Sequence, residues 1–225
     1  MLKTLLTSTG SSRPEWTRPR WAAALILALG LAATGAARAE TILVFGDSLS
    51  AAHNMPTDKG WVHLLQQRLG DKDKVINASI SGETTSGGLE RLPKALEQFD
   101  PDIVLLELGG NDGLRGLPPA QIQSRLDKMI QLIQNHPARV GLLGIMVPPN
   151  YGQNYSTAFK NIYPTLAEKY ALPLEPFMLD GVALDDDLMQ DDAIHPNARA
   201  QPKVLDNVWS VVDELLSLPP ASKSS

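Results

Sequence analysis

The chain predicts a three-layer α/β/α protein built on a five-stranded parallel sheet. Two observations carry this reading. Short, unbroken apolar runs alternate five times with segments of helical periodicity. Such runs, with no polar alternation, suit strands covered on both faces, and strict strand–helix alternation calls for parallel crossovers. Polar, glycine-bearing islands also follow the first three runs, and a parallel sheet gathers all such islands along one edge, where ligands bind.

The first run is Thr41-Ile-Leu-Val-Phe-Gly46, leading into Asp47-Ser48-Leu49-Ser50. Gly46 permits a tight turn, and a serine just beyond a strand can present its hydroxyl from a fixed backbone. Trp61 to Leu69 then carries apolar residues at helical spacing and stops at Gly70. Val75 to Ala78 reads as a second strand, followed by the polar loop Ser79 to Thr85. Gly88 to Phe99 reads as a helix with Leu89, Leu92, Leu96 and Phe99 on one face.

Asp102 to Leu108 is the third strand, ending in Gly109-Gly-Asn-Asp-Gly113. A loop from Leu114 to Pro119, with glycines able to act as hinges, precedes a long helix from Ala120 to Gln134. Val140 to Val147 reads as a fourth strand stopped by Pro148 and Pro149. Ser156 to Tyr170 reads as one helix kinked at Pro164. Leu172 to Phe177 is a weaker fifth strand, and Ala198 to Leu216 the last helix.

The ends divide from this body. Residues 1–39 have the pattern of a signal peptide: a basic stretch with Lys3, Arg13, Arg18 and Arg20, an apolar run from Trp21 to Ala33, and a small-residue cleavage pattern at Ala37-Arg38-Ala39. The rival reading is an uncleaved anchor, for which the apolar run is short. The body spans residues 40–217, and residues 218–225 read as a flexible tail rich in Ser and Pro. Cleavage removes five basic residues and one acidic one, moving the formal charge from −5 to about −9. An acidic chain is a poor partner for nucleic acid or an anionic membrane. The sequence holds no Cys, which excludes disulfides, a thiolate metal site and a Cys nucleophile. These features point to a bacterial periplasm or the medium, with no stable membrane anchor, and a monomer is expected.

Acyl transfer by a serine needs a base, a carboxylate to orient that base, and donors for the oxyanion. The sequence has four histidines, His53, His63, His136 and His195. His63 falls inside a helix, and His136 ends one. His53 lies in a loop after Ser48. His195 sits in Asp191-Asp192-Ala-Ile-His195, where a carboxylate three residues back can hold the imidazole within one turn. Each piece alone has a bland reading as a cap or turn. The four polar islands in this arrangement point to chemistry.

Gly46-Asp-Ser-Leu49, Gly82, Gly109-Gly-Asn-Asp112 and Asp192-Ala-Ile-His195 together resemble the four blocks of the SGNH (GDSL-type) hydrolases, in that family's order. The resemblance runs from about residue 41 to 216 and is nearest the secreted thioesterase I, lysophospholipase and arylesterase branch. It implies a flavodoxin-like SGNH fold and a hydrolase of carboxylic esters and thioesters. Within it, Ser48 is the nucleophile, His195 the base and Asp192 its orienting carboxylate, with Asp191 the rival for that role. The Ser48 N–H, the Gly82 N–H and the Asn111 side chain are the oxyanion donors. Asp47 and Asp112 are expected to serve their loops structurally. Leu114, Met146 and Pro148 are candidates for an acyl-chain wall. No metal or cofactor is called for. Expected substrates are small acyl esters or thioesters, lysophospholipid among them. A polysaccharide O-acetylesterase and a non-catalytic binding module are the alternatives.

Overall fold

The computed structural model describes residues 39–221. The proposed leader, apart from Ala39, and the last four tail residues lie outside the described residues. Strands β1 (Thr41–Gly46), β2 (Lys74–Asn77), β3 (Ile103–Glu107), β4 (Arg139–Leu143) and β5 (Leu174–Glu175) form one parallel sheet in the order β2-β1-β3-β4-β5. The register sets Ile42 opposite both Val75 and Ile103. The order reverses at β1, so the loops after β1 and β3 lie side by side at a topological switch point.

Seven α-helices accompany the strands among the described residues: α1 (Trp61–Leu69), α2 (Thr85–Phe99), α3 (Gly110–Leu114), α4 (Pro119–Asn135), α5 (Gln153–Lys160), α6 (Ile162–Tyr170) and α7 (Gln201–Ser217). α1 packs on α7, while α2, α4 and α6 pack side by side. The sheet lies between them, which is why Ile42, Leu43, Val44 and Phe45 are all fully buried. Truncating such a side chain, as in Leu105→Ala, costs about 2–5 kcal/mol.

Several boundaries differ from the sequence reading, each for a local reason. α2 begins at Thr85, three residues before the predicted start, because the Thr84 hydroxyl accepts the Gly87 N–H as an N-cap. The stretch after β3 is not only a turn, since Gly110–Leu114 closes a short helix. β4 ends at Leu143 rather than Val147. Its neighbour β5 is only two residues long, and Gly144 presses against the Pro176 carbonyl, where a Cβ would overlap. Residues 145–148 are thereby turned out of the sheet. The predicted 156–170 helix is two helices, α5 and α6, meeting at Asn161. Pro164 cannot donate to the carbonyl of Lys160, the last residue of α5, and itself sits in the first turn of α6, where no intrahelical donor is needed. The last helix starts at Gln201 rather than Ala198.

Candidate active site

Ser48 stands one residue beyond Gly46-Asp47, at the end of β1, with a relative exposure of 9 %. Its loop is fastened from below. Glu107, at the end of β3, is paired with Gly46 in the register and accepts the Asp47 N–H (3.1 Å) and the Ser50 hydroxyl (2.7 Å). Gly46 is required here because a Cβ would overlap the Glu107 carboxyl. Asp47 in turn accepts the Leu49 N–H at 3.0 Å. Asn77, at the end of β2, donates to the Ser50 carbonyl at 2.8 Å. Three strand ends thus hold one five-residue loop.

Two buried carboxyls meet beneath the serine. Burial, followed by the nearby Asp47 charge, pushes Glu107 well above the ordinary carboxyl range. Burial also raises Asp47 to about 6, partly offset by the Leu49 N–H and other donors. A fully buried acid beside a second carboxyl is most stable neutral, so Glu107 is the member that keeps its proton.

His195 arrives from an irregular segment before α7. Its Nδ1 lies 2.7 Å from Asp192 Oδ2, and its Nε2 lies 2.8 Å from Ser48 Oγ. An ionised carboxylate only accepts, so Nδ1 carries the proton and Nε2 is free to accept from the serine hydroxyl. The other Asp192 oxygen accepts the N–H groups of Ile194 (2.9 Å) and His195 (3.0 Å). Partial burial opposes the Asp192 charge, but those donors and the His195 side chain outweigh it and hold the carboxyl down at about 2. The intervening Ala193 has a φ of 55°, an unusual value for a residue with a Cβ, and this tight turn lets residues three apart face each other. Asp192, not Asp191, makes the bonds to His195.

The Asn111 amide spans two loops, its Nδ2 donating to Asp47 Oδ2 (3.1 Å) and to the Glu83 carbonyl (3.0 Å). Both its hydrogens are therefore engaged in this state, and an incoming oxyanion must share or displace one of these acceptors. Gly82 is the third residue of a turn closed by the Glu83 N–H on the Ile80 carbonyl, with a φ of 80° that favours glycine. A Cβ there would meet nothing within 4 Å, so the need is conformational. Ser48 and Asn111 line the groove described next, and Gly82 does not. Arg91 holds this loop by donating to Glu83 (2.7 Å) and the Ala78 carbonyl (2.8 Å) while lying over the Phe45 ring.

Beside the serine opens a groove of about 620 Å³. Leu114, Met146 and Pro148 line it, as do Met189, Leu184 and Ile194. The last three lie in the segment before α7, and Leu184 is 99 % exposed. Sequence reading missed this second wall. Leu184 sits between Ala183 and three aspartates, so neither period nor turn chemistry marks it out. The loop expected to be a hinged lip is clasped. Tyr151 donates to the Leu114 carbonyl (2.7 Å) and Tyr155 to the Leu117 carbonyl (2.7 Å). Gly116, within that loop, has a φ of 69° and open space around it, while Gly113 just before it is a packing glycine whose Cβ would overlap Phe159 and Val147. Asp112 is fully buried and accepts from Thr85 and Arg125, fixing α3 against α2 and α4.

His53, in the sequence no more than a loop histidine, comes close to the base in the fold. Its ring lies against His195, centroids 4.3 Å apart and planes tilted by 39°. Its Nδ1 is 3.3 Å from Ser81 Oγ, and its carbonyl accepts from Gln190 at 3.0 Å.

Comparison with known proteins finds a matching family and close relatives. Residues 44–201 match the model of the GDSL-like lipase/acylhydrolase family. The chain is 50 % identical to an esterase, TesA, of Pseudomonas aeruginosa over 186 residues, covering 81 % of this chain and 92 % of that one. It is 47 % identical over 171 residues to a thioesterase 1/protease 1/lysophospholipase L1 of Escherichia coli K12, covering 76 % and 82 %. A crystal structure of TesA superposes with a TM-score of 0.76 at 50 % identity, covering 78 % of this chain and 99 % of that one.

Proposed function

This chain belongs to the GDSL-like lipase/acylhydrolase family, and on that premise we propose that it hydrolyses carboxylic esters and thioesters through an acyl-enzyme on Ser48. The observation that carries the reading is the relay from Asp192 through His195 to Ser48, with gaps of 2.7 and 2.8 Å, at the mouth of an apolar groove. Relatives named as an esterase and a thioesterase support both substrate classes.

In this mechanism His195 Nε2 takes the hydroxyl proton as Ser48 Oγ attacks the acyl carbon. Asp192 steadies the imidazolium that results. Negative charge develops on the former carbonyl oxygen, toward the Ser48 N–H, the Gly82 N–H and the Asn111 amide. The intermediate collapses, and His195 returns the proton to the departing alcohol or thiol. Water then repeats the sequence on the acyl-enzyme, with His195 as base and Ser48 as leaving group.

The acyl chain lies along Leu114, Met146 and Pro148, in a groove whose lining is mostly apolar, Ile145, Val147, Phe177 and Leu179 included. This supports lipid-derived or other hydrophobic acyl substrates, lysophospholipid included. Residues 1–39 support export to the periplasm or beyond. Among the described residues no helix is long and apolar enough to cross a membrane.

The test is hydrolysis of p-nitrophenyl esters from acetate to palmitate, with an acyl thioester in parallel. Activity on medium or long chains that disappears in Ser48→Ala is expected. Cleavage of acetate alone, still dependent on Ser48, would move the polysaccharide O-acetylesterase reading ahead. Full activity in Ser48→Ala would overturn the mechanism.

A further inference from the structure

The mechanism leaves His53 without a task, although its ring rests on that of the base. His53, Asp192 and His195 can each present one ligand atom, and these atoms all lie within 4.8 Å of one another. Two imidazoles and a carboxylate are the donor set that borderline divalent ions such as Zn²⁺ prefer, whereas Mg²⁺ and Ca²⁺ select all-oxygen sites. We propose that His53, Asp192 and His195 form an inhibitory site for a divalent transition-metal ion of the Zn²⁺ class.

The geometry needs only modest closure. A tetrahedral Zn²⁺ with bonds of about 2.0–2.1 Å to nitrogen draws its ligand atoms to roughly 3.3 Å apart. His53 is free to supply that movement. Its ring makes one long hydrogen bond, 3.3 Å to Ser81 Oγ, rests otherwise on the His195 ring that would share the ion, and sits on a half-buried loop. Its main chain, by contrast, is anchored to the same segment that bears the other two ligands, through Gln190 Nε2 on the His53 carbonyl at 3.0 Å. The three ligands therefore stay together when the loops fluctuate. Access is open as well. Asp191 and Asp192 line a polar hollow of about 530 Å³ together with Asn54, Gln190 and Asn197, an acidic approach for a hydrated cation.

Occupancy and hydrolysis exclude each other. His195 has two nitrogens, one facing Asp192 and the other facing Ser48. A metal on Nε2 takes the lone pair that accepts the serine proton. A metal on Nδ1 displaces the Asp192 bond that sets the tautomer. Either way the base is lost, with no change in the protein's covalent structure. The ion is an inhibitor here and has no part in turnover.

The site is tested by calorimetric titration of ZnCl₂ into folded Ser48→Ala protein, where no turnover intervenes, and into Ser48→Ala carrying His53→Phe or His53→Gln. The phenylalanine keeps a flat ring against His195, and the glutamine keeps a polar side chain, so one of the two preserves the loop. Single-site binding in Ser48→Ala, weakened at least about tenfold by either second change, is expected, with MgCl₂ producing no saturable heat. In the Ser48 enzyme the Zn²⁺ concentration for half inhibition should rise by the same factor on His53→Phe. Equal Zn²⁺ affinity with and without His53, or no saturable binding below the millimolar range, would overturn the site. Because the binding arm needs no catalysis, it stands or falls separately from the proposed hydrolase activity.

Discussion

The nucleophile and its base are held in opposite ways. The loop bearing Ser48 is buried and tied to three strand ends, through Glu107, Asn77 and the backbone of β1. The segment bearing His195 has no regular structure beyond one bridge, Met189 to Pro196, and is held mostly by itself. Gln190 N–H bonds the His195 carbonyl at 2.8 Å, Asn197 N–H bonds that of Leu188 at 2.8 Å, and the Asn197 side chain reaches the carbonyls of Asp187 and Met189. The first region borrows the stability of the sheet. The second is a self-contained knot laid across the site. Loss of the ties beneath the first should therefore appear as lost stability, and loss of the ties within the second as lost activity.

The largest expected effects separate chemistry from folding. Ser48→Ala should lower kcat by about 10⁶-fold, and Asp192→Asn by about 10⁴-fold through the wrong tautomer. Ser48→Ala should leave the thermal midpoint nearly unchanged, and Asp192→Asn should lower it at neutral pH by no more than the local contribution of that one carboxylate, as read by calorimetry. A large loss of stability in Asp192→Asn would break the contrast, since it would make the base segment part of the global fold. Asn111→Ala should cost about 10²–10³ in kcat with a smaller change in KM, the signature of a donor used in the transition state.

Gly46→Ala probes the other side. A Cβ driven into the Glu107 carboxyl should destabilise the fold by about 1–3 kcal/mol in denaturant unfolding. Asn197→Ala, which removes three side-chain bonds from the segment before α7, should instead raise hydrogen exchange over residues 186–197 and lower kcat, with little change in the global midpoint.

The smallest effect sharpens the comparison through pH. Asp47 is raised to about 6, so its proton favours the folded state. That contribution is full below the ordinary carboxyl value near 3.8 and is lost as pH rises through about 6. Asp192 is lowered to about 2, so its contribution is present above 3.8 and is lost as pH falls through about 2. Between pH 4 and 7, Asp47→Asn should flatten the fall in thermal midpoint, while Asp192→Asn should leave it unchanged. The reverse pattern would contradict both assignments.

What was legible in the sequence follows the same division. Strand order along the chain, the apolar runs and the catalytic blocks are local signals. The Asp192–His195 turn was readable because both partners sit in one short stretch. Glu107 reads as one more strand residue, and its role under Gly46 and Ser50 depends on a register between strands some 60 residues apart. The Tyr151 and Tyr155 clasp on the loop after α3 is likewise a long-range contact, so its glycines looked like hinges. Pro164 reads in the sequence as a kink within one helix, but the helix is broken three residues earlier, at Asn161, just past the Lys160 carbonyl that the proline cannot serve. His53 had no sequence partner at all. Only the fold brings its ring to His195.

The most direct test of the Ser48–His195–Asp192 relay is intact-mass analysis after exposure to an alkyl fluorophosphonate, followed by peptide mapping. The expected result is a single adduct, on Ser48, formed in the unaltered enzyme and lost in Ser48→Ala. Its formation should be slowed by orders of magnitude in His195→Ala. Labelling of another residue, or labelling of Ser48 at an unchanged rate without His195, would contradict the relay.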